Sequence, residues 1–166
     1  MTDDPDKVEI IIACEGWKAI DCRALAEKCF AAVETLEPDL QGPVSILFTD
    51  DKAVAELNLQ FRGKKGPTNV LSFPAGEAPP ALSYLGDIAI AFETCRDEAA
   101  AKSISLQDHA AHLIVHGVLH LMGYDHQDDH EADIMEARER DILASLGIAD
   151  PYPISEDSSV TAGNGR

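Results

Sequence analysis

Between residues 112 and 126 the chain reads HLIVHGVLHLMGYDH, and the types and spacing of these residues suit metal-assisted hydrolysis. His116 and His120 are four apart, so on a helix they share a face with Cβ atoms about 5 to 6 Å apart. Both imidazoles can then reach one cation at about 2.0 to 2.1 Å. Gly123 lets the chain reverse at the helix end, so that His126, six residues beyond His120, can bring a third nitrogen to the same point. Three protein ligands leave one coordination position open, as in catalytic zinc sites, whereas structural sites are closed by four ligands that usually include Cys. Cys14, Cys22, Cys29 and Cys95 all lie far from this segment. The pattern predicts a hydrolytic centre on His116, His120 and His126, with one zinc ion expected and nickel as another divalent ion that fits.

Neighbouring residues offer alternatives. His112 lies four before His116 and His109 three before that, so a ligand set displaced by one turn is also open. The preferred reading places His112 behind the ligands, hydrogen-bonded to support them. Asp125 either orients a ligand ring or faces water. His130, among Asp128, Asp129 and Glu131, reads as a solvated surface residue. The spacing H-x-x-x-H-x-x-G-x-x-H is also that of zinc proteases, but in those the first His is followed by a Glu that serves as base. Here that position is Gly117, so a protease would lack its proton acceptor. A Gly there is read as clearing room beside the metal for a bulkier group such as a phosphodiester.

The elements that must position these residues follow from periodicity and punctuation. Val8 to Ala13 reads as a strand and Trp17 to Leu36 as a helix. After the breaks at Pro38 and Gly42-Pro43, Val44 to Thr49 reads as a strand, and Asp50 or Asp51 caps a helix that gives out near Arg62 and Gly63. Lys64 to Pro67 is a basic turn, Asn69 to Phe73 a strand, and the Pro, Gly and Ala-rich stretch up to Ser83 a loop. Leu85 to Ala91 is a strand and Glu93 to Lys102 an alanine-rich helix. Ser105 caps the histidine helix, with Asp108 three residues on, and Gly123 stops it. A last helix from Asp129 to about Leu146 is expected to bury Ile134, Met135, Ile142 and Leu143. The fold class is therefore α+β: a small mixed four-stranded sheet packed with about five helices. One domain over residues 1–154 and a disordered tail over 155–166 are expected.

Composition narrows the partners. Thirteen Lys and Arg against 30 Asp and Glu give a net charge of −17, the wrong sign for wrapping a long nucleic acid, so contact with RNA has to be local or assisted by another protein. The acidic start of the chain and the lack of a long apolar run give the expectation of a soluble, cytoplasmic protein. The four cysteines form no CxxC pair and are expected to be free and buried.

With these residues in view, the sequence resembles the YbeY family of bacterial endoribonucleases. The family signature H-G-x-L-H-L-x-G-Y-D-H is matched from His116 to His126, its F-R segment at Phe61-Arg62, its P-T-D-V-L-S-F-P at Pro67 to Pro74, and its L-G-D-I at Leu85 to Ile88. Asn69 stands where the family has Asp. The resemblance implies a zinc-dependent, single-strand-directed endoribonuclease that matures the 3′ end of 16S ribosomal RNA and serves ribosome quality control. It also implies an α+β fold with the metal at the end of a cleft, and ribosomal small-subunit proteins as partners. Arg62 then becomes the basic residue facing the cleft, able to grip a phosphate with two parallel hydrogen bonds and to stabilise charge growing on its oxygens. Catalysis would rest on Arg62 and His116. Lys64 and Lys65 either extend a basic track for RNA or form an exposed turn with nothing bound. Two other readings share the metal site: a hydrolase of a peptide or small ester, and a non-enzymatic ribosome assembly factor that the metal only stabilises.

Overall fold

Four short segments rich in Val, Ile, Leu and Phe form the sheet: β1 (Val8–Ile12), β2 (Val44–Thr49), β3 (Val70–Pro74) and β4 (Gly86–Ala91). The computed structural model of the chain describes residues 7–40, 42–66, 68–74, 85–125 and 127–152. Strand order is β1-β2-β4-β3, with β1, β2 and β4 parallel and β3 antiparallel at the edge. Five α-helices surround it: α1 (Cys22–Leu36), α2 (Asp51–Arg62), α3 (Phe92–Lys102), α4 (Leu106–Leu121) and α5 (Asp129–Ser145). The α+β class with a four-stranded mixed sheet and five helices is thus the expected one.

The sheet has apolar side chains on both faces, as strands covered on both sides must. Val44, Ile46 and Phe48 of β2, with Ile88 and Ile90 of β4, join α1, α4 and α5 in the main core. Leu71, Ala89 and Ala91 face the other way and pack with Val54 of α2. α4 lies at the centre of the helical layer and touches α1, α3, α5, β3 and β4. It is buried along most of its length, from His109 through Val115 and again at Gly117, Val118, Leu119 and Leu121. His109 and His112, buried on it, need partners inside the protein.

Several expectations need correction. α1 starts at Cys22 rather than Trp17. A 3-10 turn over Glu15–Ala19 precedes it, and the Asp21 carboxylate accepts from the Ala24 N–H at 3.0 Å, starting the helix afresh. Trp17 is fully buried in that turn, its indole N–H donating to the Thr49 carbonyl at 2.9 Å. Ile134 is 47% exposed, because the buried stripe of α5 runs through Ala132, Met135, Glu139, Ile142 and Leu143. Cys14 is only half-buried, whereas the other three thiols are buried and free. The loop after β3 and the tail beyond Tyr152 lie outside the described residues.

Gly86 is where the sheet depends most on a missing side chain. Its φ is +148°, and a Cβ there would lie 2.6 Å from the Phe73 carbonyl oxygen of the paired strand and 2.8 Å from Leu121 of α4. Backbone cannot yield as a side-chain tip can. Gly86→Ala is expected to destabilise the fold by about 2 to 3 kcal/mol. For a domain of this size that lowers the melting temperature by roughly 4 to 12 °C, read by thermal unfolding in circular dichroism.

Candidate metal centre

Ser105 caps α4 by accepting from the Asp108 N–H at 3.0 Å, and Gly123, at φ +109°, ends it. The helix carries His109, His112, His116 and His120 along one side. His116 and His120 have ring centroids 4.7 Å apart with planes at 82°. Two imidazoles on one tetrahedral zinc have centroids roughly 5 Å apart, given metal–nitrogen distances of about 2.0 to 2.1 Å, so this pair is spaced to share a cation. His126 lies outside the described residues. The turn leading to it is anchored by Tyr124, whose hydroxyl donates to Glu37 at 2.8 Å, and Glu37 also pairs with Arg138 of α5 at 2.7 Å.

Among the described residues, three donors that could hold a metal ion lie within 4.8 Å of one another: His112, His116 and Glu139. Glu139, on the buried stripe of α5, is 0% exposed. Its Oε2 lies 2.5 Å from His116 Nδ1, and its Oε1 lies 3.1 Å from His112 Nε2 and 2.6 Å from the Tyr152 hydroxyl. Burial would push this carboxyl up, but hydrogen bonds and charge from His112 and His116 outweigh it and hold the group down at about 2. Glu139 is therefore an ionised acceptor, taking an N–H from His116 at Nδ1 and from His112 at Nε2. Tyr152 is half-buried, and that burial and the Glu139 charge push its hydroxyl well up, so it stays an O–H donor. Farther back on α4, His109 is buried and held neutral by that burial, and its Nε2 lies 2.8 Å from Glu98 of α3.

Arg62 ends α2 and reaches the edge strand, its guanidinium donating to the Ser72 carbonyl and lying 5.3 Å from the centre of the Phe73 ring. The Ser72 hydroxyl in turn donates to the Gly117 carbonyl at 3.3 Å, one residue from His116. The structure thus brings Arg62 to the strand that packs on the histidine helix. Lys64 and Lys65 are exposed just beyond, Asp125 is half-buried after α4, and His130 is exposed. Gly117 does not clear room beside a metal. It is buried, and an added Cβ would meet Ile88 of β4 at 3.0 Å and the Ser72 hydroxyl at 3.2 Å. Its smallness lets α4 lie close on the sheet. Asn69 donates to Glu98 at 3.0 Å, at the level of His109, about two helical turns before His116.

Sequence reasoning passed over Glu139 and Tyr152. Glu139 had a signal: it occupies a core position in the i, i+3, i+4 stripe of α5, where a carboxylate needs an internal partner. Tyr152 lies past the helix and had none.

Comparison with known proteins decides the family. Residues 12–147 match the family model described as Endoribonuclease YbeY. The chain belongs to the YbeY family. It is 50% identical over 148 residues to the Endoribonuclease YbeY of Maricaulis maris strain MCS10, covering 88% of this chain and 91% of that one. It is 48% identical over 160 residues to that of Jannaschia sp. strain CCS1, covering 88% and 99%. The solution structure of a Thermotoga maritima protein shares the fold, with a TM-score of 0.53 at 23% identity over 89% of this chain and 99% of that one. No described helix of this YbeY-family chain is long and apolar enough to cross a membrane.

Proposed function

We propose that this chain is a metal-dependent, single-strand-directed endoribonuclease acting in 16S ribosomal RNA 3′-end maturation and ribosome quality control. What supports this reading is the link from Arg62 to the Ser72 carbonyl and from the Ser72 hydroxyl to the Gly117 carbonyl, which ties a permanently charged guanidinium to the strand packed on the histidine helix, one residue from His116. The donor set fits a zinc ion: two imidazoles one helical turn apart, with ring centroids at the right separation. His116 through Nε2, His120 and His126 would hold it. Bound there, zinc supplies a Lewis acid for the scissile phosphate. Arg62 binds and orients that phosphate with paired N–H donors and neutralises charge that grows on its oxygens. Lys64 and Lys65 draw the adjoining phosphates along the same edge. With a net charge of −17, the chain reaches RNA through this small basic edge, and a basic protein of the small ribosomal subunit would supply the remaining attraction in the cytoplasm.

The test sets substrates against each other. Zinc-loaded protein is expected to cut single-stranded regions of a 16S precursor RNA, to leave casein intact, and to stop when a chelator is added. Cleavage of casein, or RNA cleavage indifferent to chelator, contradicts the reading.

A further inference from the structure

We infer that Glu139, secured by Tyr152, is the positioning residue of the metal centre: it fixes the ring and tautomer of His116 so that Nε2 is presented to the cation. This rests on the metal reading above and adds residues that reading does not contain.

The argument starts from burial. Glu139 sits among Ala132, Met135, Ile142 and Leu143 on the covered side of α5, where a carboxylate persists only with its oxygens engaged. They are divided between two rings one helical turn apart on α4. Oε2 accepts from His116 Nδ1, and Oε1 accepts from His112 Nε2 and the Tyr152 hydroxyl. The Tyr152 hydroxyl also lies 3.1 Å from His112 Nε2. Tyr152 is itself held. Arg140 pairs through Nε with both Asp150 oxygens at 3.1 and 3.2 Å and lies 5.8 Å from the tyrosine ring centre, and Asp150 accepts from the Tyr152 N–H at 2.7 Å. The segment after α5 is thus strapped across the back of the centre. Its last link is the shortest one to Oε1.

Glu139 could instead be a ligand, since it lies among three donors close enough to share an ion. A cation there would displace His116, His112 and Tyr152 from a carboxylate that is 0% exposed. The existing bonds fit the other arrangement, in which a carboxylate takes one ring proton and the opposite nitrogen takes the metal.

The experiment measures zinc affinity on the full chain by competition with a chromophoric chelator, and the histidine ring ¹⁵N shifts of the zinc-free protein. Glu139→Gln is expected to weaken zinc binding 10- to 100-fold, with one zinc per chain still reached at saturation and a mixture of His116 tautomers in the spectrum. Tyr152→Phe, which keeps the ring and the fold, is expected to weaken binding several-fold in the same direction. Unchanged affinity in Tyr152→Phe and Glu139→Gln overturns the inference. Loss of the zinc site in Glu139→Gln to the level of His116→Ala, with Tyr152→Phe at parental affinity, makes Glu139 a ligand and also overturns it. If Glu139→Gln does not fold, Tyr152→Phe decides alone, by weakening or by parental affinity. A parental chain that binds no zinc overturns the metal reading itself, a result separate from either of these.

Discussion

A variant carrying both His116→Ala and His120→Ala is expected to cut RNA at least about 10³-fold more slowly than the parent. Lewis-acid assistance is worth several kcal/mol, and each 1.36 kcal/mol is a factor of ten in rate. Chelator should bring the parent down to the same residual rate and leave the variant unaffected. The two substitutions affect the fold differently. His116→Ala withdraws a donor from a carboxylate that is 0% exposed, which costs about 1 to 3 kcal/mol of stability. His120→Ala leaves the hydrogen bonds of Glu139 in place, so that single variant should lose its rate without stripping that carboxylate of a donor. Full, chelator-insensitive cleavage by the double variant would remove the metal from the reaction.

Arg62→Ala is expected to lower the cleavage rate by about 10² to 10³, the cost of deleting one preorganised donor aimed at developing charge. Zinc content should not change, because Arg62 contacts Ser72 and Phe73 and not the imidazoles. Arg62→Lys should recover only part of the rate, since an ammonium keeps the charge but not the planar paired donors. Binding to single-stranded RNA should lose about 0.7 from its logarithmic salt slope, the share of one phosphate contact. Parental cleavage by Arg62→Ala would take Arg62 out of the site.

The sequence carried the fold well where local chemistry governs it. Asp50 and Ser105 cap their helices as their types require, and Gly63 and Gly123 end them at positive φ. It also carried the His116–His120 pair, since a spacing of four on a helix is a statement about distance. It was silent on contacts made across the fold. The start of α1 moved because Asp21 and the buried Trp17 outweigh apolar periodicity, and Gly117 turned out to serve helix–sheet packing because Ile88 lies 29 residues away in sequence. Glu139 and Tyr152 meet His112 only after α5 folds back along α4. No motif centred on 116–126 contains them, although an acid in an apolar stripe was there to be read.

β3 has one neighbour in the sheet, and the guanidinium that braces its outer margin is the one a substrate phosphate would claim. On the proposed function, an RNA phosphate held by Arg62 would compete with the Ser72 carbonyl for the same N–H groups. The imidazoles lie on α4, which packs against three helices and two strands. On that reading, the phosphate-binding group sits at the sheet's edge strand while the imidazoles sit on the helix at the centre of the helical layer.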